Sequence, residues 1–208
     1  MVYIGFDFSC NKPACCILKN NKYDFCLWPL ELDDKSIVKL EAASVSVNSR
    51  PRLEMGTDSS EKFRWHIAMA NELVSRIVET IKSIVLDEKV MFSFEGSSFG
   101  SKGDAGLQLA GYRYLLVSEL GKLYGLKNIF TYAPLTVKSV AGCATKDKKG
   151  KDSMINAFGQ ACTHPLALTI KNNSMALKKK TNYVSGVDDL ADAYWVLQTL
   201  RVKELGLV

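Results

Sequence analysis

The sequence predicts an α/β fold in which a mixed β-sheet is flanked by helices. Residues 2–28 contain three short apolar runs separated by polar turn signals, a pattern typical of an antiparallel three-strand meander. Residues 61–85 repeat apolar side chains at the spacing of an amphipathic helix. After that helix, strand and helix patterns alternate, which favours further strands joined by helices on the faces of one sheet.

The same patterns locate the individual elements. Residues 31–58, which include Pro51 and Gly56, show no clear period and are predicted as an irregular excursion. No linker-like stretch divides the chain, so residues 1–208 are interpreted as a single domain. The predicted strands cover residues 2–9, 14–18, 23–28, 89–95 and 128–132. The predicted helices cover residues 61–85 and 105–124, a segment that starts at Pro134, and a segment from Asp152 or Ser153 to about Cys162. A last helix begins within residues 186–193.

The net charge of +5 comes entirely from the C-terminal third of the chain. Residues 1–133 carry 16 basic and 16 acidic side chains, whereas residues 134–208 carry 11 basic and 6 acidic ones. Such a surplus indicates a polyanionic partner, nucleic acid above all, although lysine runs also serve solubility. The lysines concerned are Lys146, Lys148, Lys149 and Lys151 in one run and Lys178, Lys179 and Lys180 in another.

The six cysteines show neither a CxxC pair nor a histidine at ligand spacing. A zinc site is therefore not expected, and free thiols in a reducing, intracellular environment are predicted. The sequence shows neither a signal-peptide pattern at its start nor an uninterrupted apolar span, so no membrane association is expected.

Three carboxylates cluster near the C-terminus, where Asp188, Asp189 and Asp192 open an apolar segment. On a helix they share one face of the first turns, and like charges so close repel unless a cation lies between them. Aspartates at a helix start also act as caps and favour the helix dipole. The motif alone leaves both interpretations open.

Two further acidic residues stand where predicted strands end. Asp7 follows the first strand, and Glu95 ends the strand after the first long helix. If these strands are parallel neighbours, the two carboxylates lie at the sheet edge where open α/β sheets place their sites. Carboxylates converging with Asp189 and Asp192 would need hard cations such as Mg²⁺ or Mn²⁺. Two such ions about 3.5–4 Å apart can hydrolyse a phosphodiester.

Four segments carry a resemblance to a known family. Residues 4–9, Ile-Gly-Phe-Asp-Phe-Ser, resemble the G-x-D-x-(G)-S opening of the RNase H-like superfamily, and residues 94–95 with the Gly/Ser loop after them resemble its second block. Residues 189–193 are similar to the D-x-x-D-A block of RuvC-type Holliday-junction resolvases. Residues 134–142, with three residues between the lysine and the glycine, resemble the P-x-x-V-K-x-x-x-x-G segment of that family, which a helix-starting lysine follows.

The resemblance implies an RNase H-like fold and a Mg²⁺-dependent endonuclease, with Mn²⁺ as a substitute, acting as a homodimer on four-way DNA junctions. Asp7, Glu95, Asp189 and Asp192 would be the catalytic carboxylates and bind two ions, with Asp188 as a cap or further ligand. Near the scissile phosphate the family places two lysines, to which Lys138 and Lys151 correspond, although the longer interval before Lys151 leaves Lys146, Lys148 or Lys149 as alternatives.

The loop of residues 96–103 holds two further candidates. Phe99 could wedge against bases at a branch point or pack on the neighbouring helix, and Lys102 could contact a phosphate. Alternative functions are an RNase H-like nuclease for flaps, other branched DNA or RNA–DNA hybrids, and a non-catalytic nucleic-acid-binding module. The expected location is the cytoplasm, which would be that of a host cell if a phage encodes the protein.

Overall fold

The computed structural model describes residues 1–96, 104–144 and 151–207, with residues 104, 105 and 151 described by their backbone alone. The strands within these residues are β1 (Val2–Asp7), β2 (Ala14–Lys19), β3 (Lys22–Leu27), β4 (Val45–Val47), β5 (Val90–Glu95), β6 (Ile129–Tyr132), β7 (Lys178–Lys179) and β8 (Asn182–Tyr183). The helices are α1 (Asp34–Ala42), α2 (Ser59–Val85), α3 (Asp104–Tyr124), α4 (Pro134–Val140), α5 (Lys151–Ala161), α6 (Pro165–Asn173) and α7 (Val187–Leu205).

Six of these strands form one mixed sheet in the order β4-β3-β2-β1-β5-β6. The strands β1, β2 and β3 pair antiparallel, which confirms the predicted meander. On the other side of β1, the strands β5 and β6 add in parallel. The predicted fold class, a mixed sheet with a three-strand meander and parallel strands flanked by helices, is therefore confirmed.

The prediction of an irregular excursion is wrong for its first half. Residues 34–42 form α1, and residues 45–47 form β4, which pairs in parallel with β3 at the edge of the sheet. Only Ser36 and Leu40 of α1 are buried, so the helix shows no extended apolar period. Its start is set by Asp33, whose side chain accepts a hydrogen bond from the backbone N–H of Ser36. Residues 48–58 contain neither helix nor strand.

The core is divided between the two faces of the sheet. One face is covered by α2 and α3, and the other by α7 together with α4, α5 and α6. The alternation of the strands separates the two sets, since Ile4 and Phe6 of β1 face α2 whereas Gly5 faces α7. The helix α7 is buried along most of its length, and it packs chiefly on the central strand β1.

Candidate active site

Asp7 and Glu95 lie side by side at the carboxyl edge of the sheet. Each is the last residue of its strand, and the parallel register pairs Phe6 of β1 with Phe94 of β5, one residue before. Both carboxylate residues are partly buried. The two strands are thus parallel neighbours, which is the condition under which the sequence places the two carboxylates where open α/β sheets carry their sites.

The helix α7 reaches this edge because Gly5 lets it lie directly on the backbone of β1. A Cβ atom at Gly5 would come within 2.4 Å of the Leu197 nitrogen and 2.5 Å of the Ala193 carbonyl oxygen. Ser93 of β5 supports the same contact from the neighbouring strand, because its hydroxyl donates to the Val196 carbonyl at 3.2 Å. Such close packing fixes the first turns of α7 relative to the end of β1.

The first turns of α7 carry the three aspartates. The helix begins at Val187, and its N-cap is Gly186, which has a φ of 102° and makes no side-chain capping hydrogen bond. Asp188 and Asp189 lie in the first turn, with Asp192 about one turn further along. None of the three is therefore the N-cap residue, although the positive end of the helix dipole favours negative charge at these positions.

The electrostatics of Asp7 place all of these carboxylates in one cluster. Burial raises the pKa of Asp7 well above its ordinary value, and the negative charges of Asp192, Asp189, Glu95 and Asp188 raise it further, in that order. Four carboxyl groups thus act on Asp7 at the sheet edge. A cluster of this kind favours either proton uptake or the binding of cations.

The donor chemistry of this cluster, which we call the carboxylate cluster (Asp7, Glu95, Asp188, Asp189 and Asp192), fits hard divalent cations. Within the ranges described above, however, no three His, Cys, Asp or Glu side chains are grouped so that they could hold a metal ion as they lie. Ion binding would therefore require the carboxylates to turn toward a common point. The residue types match Mg²⁺ or Mn²⁺, whereas the side-chain arrangement is not that of a closed site.

One of the predicted lysines faces the cluster. Lys138, on the exposed side of α4, lowers the pKa of Glu95, opposing the larger effect of burial, which raises it. Lys151 is the first residue of α5, but the description covers only its backbone. Five other candidates lie outside the described residues, namely Phe99, Lys102, Lys146, Lys148 and Lys149.

The second lysine run forms part of a small hairpin leading to α7. Lys178 and Lys179 make up β7, which pairs antiparallel with β8. The ammonium of Lys178 lies 4.9 Å from the centre of the Tyr183 ring, and that of Lys179 lies 3.6 Å from a carboxylate oxygen of Asp33. Lys180, in the turn, is exposed. The hairpin therefore presents basic side chains a few residues before the aspartates of α7.

Two basic residues at the site were missed by sequence reasoning. Lys12, in the loop after β1, places its ammonium 3.6 Å from a carboxylate oxygen of Asp189. Arg113 of α3 donates a hydrogen bond of 3.0 Å to the backbone carbonyl of Glu95. No motif marks either of them, since a lysine in a turn and an arginine on a long helix are ordinary surface residues.

Comparison with solved structures finds this fold in RuvC-type proteins, which confirms the fold that the sequence resemblance implied. Among solved structures, RuvC from Thermus thermophilus has a TM-score of 0.50 and 14% identity, covering 99% of this chain and 97% of that one. The same protein in complex with a Holliday junction substrate has a TM-score of 0.53 and 13% identity, with the same coverage. The yeast mitochondrial Holliday junction resolvase Ydc2 has a TM-score of 0.51 and 12% identity, covering 95% of this chain and 76% of that one.

These identities establish the likeness at the level of the fold. No protein-family model matches the sequence, and a search of curated proteins gives no match either.

All six cysteines are free thiols, as predicted. In the part of the chain that the structure describes, no helix is both long and apolar enough to cross a membrane.

Proposed function

We propose that this protein is a divalent-metal-dependent endonuclease that cuts four-way DNA junctions as an intracellular homodimer. The observation that carries the proposal is the convergence of Asp7, Glu95 and the aspartates of α7 at one edge of a RuvC-type fold. Two solved structures with this fold are described as a Holliday junction resolvase and as a complex with a Holliday junction substrate. Fold and site chemistry thus point to the same activity.

In this proposal Asp7, Glu95, Asp189 and Asp192 hold two Mg²⁺ ions, with Mn²⁺ as a substitute. Such ions supply an activated water and stabilise the leaving 3′ oxygen. The carboxylates bind and orient them, and the mutual repulsion that raises the pKa of Asp7 would be relieved by bound positive charge. Asp188 would add negative charge beside them.

The basic residues would guide and hold the DNA. Lys138 lies on the exposed side of α4 close enough to Glu95 to affect its pKa, which suits contact with a phosphate near the ions. Lys179 and Lys180 are exposed on the hairpin that precedes α7 in the chain, and they are proposed as further phosphate contacts. Lys146, Lys148, Lys149 and Lys151 remain proposed phosphate contacts, and Phe99 and Lys102 remain proposed contacts at the branch point.

The homodimer is proposed on grounds of symmetry. A four-way junction offers two equivalent strands, and a two-fold dimer carries two equivalent sites. The first turns of α2 leave Phe63 and Ile67 exposed by 67% and 50%, which gives a second copy apolar surface to cover. Sedimentation of the wild type and of Phe63→Lys measures whether each protein is a dimer, and so tests this proposal. A wild type that is monomeric while it nicks both strands would refute the dimer.

The decisive test of the proposed activity is a panel of labelled substrates incubated with Mg²⁺, Mn²⁺ or Ca²⁺. A four-way junction, a 5′ flap, a plain duplex and an RNA–DNA hybrid distinguish the alternatives. Paired nicks in the junction, dependent on Mg²⁺ or Mn²⁺, are expected. Preference for a flap or a hybrid would reassign the substrate, and binding without cutting in any metal would indicate a non-catalytic module.

A further inference from the structure

The carboxylate cluster contains a cation of its own chain. The ammonium of Lys12 lies 3.6 Å from a carboxylate oxygen of Asp189 and 2.6 Å from the hydroxyl oxygen of Ser185, to which it donates a hydrogen bond. Ser185 immediately precedes Gly186, the N-cap of α7. Lys12 therefore joins the loop that follows Asp7 to the start of the helix that carries the aspartates.

The loop that presents Lys12 is held in place at several points. The backbone N–H of Lys12 donates to the hydroxyl of Ser9 at 3.0 Å. The buried side chain of Arg50 donates to the carbonyl oxygens of Cys10, at 2.7 Å, and Asn11, at 3.3 Å. Because these hydrogen bonds hold the backbone that leads up to Lys12, the position of the ammonium does not depend on a freely moving loop.

Lys12 is also placed so that it can leave. Its side chain is 32% exposed, whereas that of Asp189 is 17% exposed. It lines a cavity of about 370 Å³ beside the cluster, together with Asp152 and Asp188. The ammonium therefore has space to move away from Asp189, toward the side of the cavity lined by Asp152 and Asp188.

We propose that Lys12 is a resident counter-ion, which neutralises Asp189 in the metal-free protein and competes with divalent cations for that carboxylate. This inference rests on the proposed function, since it assumes that Asp189 binds metal. A positive charge beside Asp189 lowers its repulsion with the neighbouring carboxylates, and a divalent ion that binds Asp189 must displace the ammonium from it. Lys12 thereby sets the metal concentration at which the site is filled.

Removal of Lys12 changes the metal affinity in opposite directions depending on whether Lys12 competes with the metal or has a purely structural role. A structural lysine, when removed, would leave the cluster disordered and weaken metal binding. A competing lysine, when removed, leaves the cluster more negative and strengthens metal binding. Lys12→Met keeps much of the side-chain volume and removes the charge, whereas Lys12→Arg keeps the charge.

The experiment is a calorimetric titration of the full chain with Mn²⁺ and with Mg²⁺, paired with thermal unfolding in EDTA. Lys12→Met is expected to bind Mn²⁺ about three- to tenfold more tightly than the wild type and to unfold at lower temperature in EDTA. Lys12→Arg is expected to stay close to the wild type. Ser185→Ala, which removes the hydrogen bond that aims the ammonium, is expected to shift the affinity in the direction of Lys12→Met by a smaller factor.

The matched control is Lys19→Met. Lys19 forms an ion pair with Glu88 at 2.9 Å and has a similarly exposed side chain, at 24%, but it lies at the opposite end of the sheet. It is expected to lose stability without a change in metal affinity. If Lys12→Met binds Mn²⁺ no more tightly than the wild type, the inference about Lys12 is overturned while the proposed metal site stands. Ser185→Ala gives the same test if Lys12→Met does not fold. Absence of Mn²⁺ and Mg²⁺ binding in the wild type overturns the proposed metal site as well.

Discussion

The contact between Gly5 and α7 gives the sharpest prediction for the architecture of the site. In Gly5→Ala the new Cβ would lie 2.4 Å from the Leu197 nitrogen and 2.5 Å from the Ala193 carbonyl oxygen. Both neighbours are helix backbone and cannot rotate away. Since real Cβ contacts essentially never fall below 3.0 Å, α7 and β1 must separate by about 0.6 Å or more.

That separation has two measurable consequences. Overpacking of a core contact costs about 1–3 kcal/mol, and the upper end is expected here because the clash is with backbone on both sides. Asp192 precedes Ala193 directly, so the same displacement moves its carboxylate relative to Asp7. Misplacement of catalytic groups by about 1 Å reduces rates by about 100-fold, and a tenfold to 100-fold loss of nicking is therefore expected.

Urea unfolding followed by circular dichroism measures the stability of Gly5→Ala, and junction nicking in Mg²⁺ measures its activity. The control is Gly111→Ala, since a Cβ at Gly111 on α3 would meet nothing within 4 Å. Alanine is favoured over glycine inside a helix by up to about 1 kcal/mol, so this variant is expected to be at least as stable as the wild type. A Gly5→Ala protein with wild-type stability and full nicking would refute the proposed role of this contact.

Three further predictions concern charge and buried polar groups. The raised pKa of Asp7 contributes stability that is fully present below the pKa of this group in the unfolded chain and is lost as the pH rises through the folded-state pKa. Asp7→Asn should therefore flatten the pH dependence of stability and raise the Tm in EDTA at neutral pH by about 2–5 °C. A lower Tm would contradict this prediction. Arg50→Met leaves the carbonyls of Trp28 and Cys10 without their 3.0 and 2.7 Å donors, and a loss of about 2–4 kcal/mol in urea unfolding is expected, with a loss below about 1 kcal/mol counting against it. Replacing Lys180 by alanine should reduce the slope of log K against log salt for junction binding by about 1, and an unchanged slope removes Lys180 from the DNA contact.

The parts of the fold that the sequence predicts are those in which apolar side chains recur at the spacing of a helix or a strand. The helix α2 and the strands β1, β2, β3 and β5 carry long apolar patterns, and their ends were located within a few residues. The carboxylates at strand ends were predictable for the same reason, since a strand boundary fixes which edge of the sheet Asp7 and Glu95 occupy.

Other elements depend on contacts that no local pattern records. The helix α1 buries only Ser36 and Leu40, and the hairpin strands β7 and β8 are two residues long, so neither was predicted. His164, the N-cap of α6, accepts a hydrogen bond from the backbone N–H of Leu166, and no local pattern marks it as a capping residue. Short elements of this kind are stabilised by tertiary packing more than by their own sequence.

Two features of the site itself were also beyond sequence reasoning. Lys12 meets Ser185 across 173 positions of the chain, and only the folded structure brings the two together. The close approach of α7 to Gly5 is likewise a tertiary contact, because the first block shows a glycine without showing what lies against it. The charge balance at Asp189 and the position of α7 therefore follow from the fold.

The most direct test of the central claim compares the wild type with Asp192→Asn on a synthetic four-way junction. Binding is measured in Ca²⁺ and nicking in Mg²⁺, with Asp87→Asn, an exposed aspartate near the opposite end of β5, as the control. The wild type and the control are expected to nick the junction, and Asp192→Asn is expected to bind it equally while losing at least about 100-fold in nicking rate. Nicking by Asp192→Asn at the wild-type rate would contradict the assignment of the carboxylate cluster as the nuclease site.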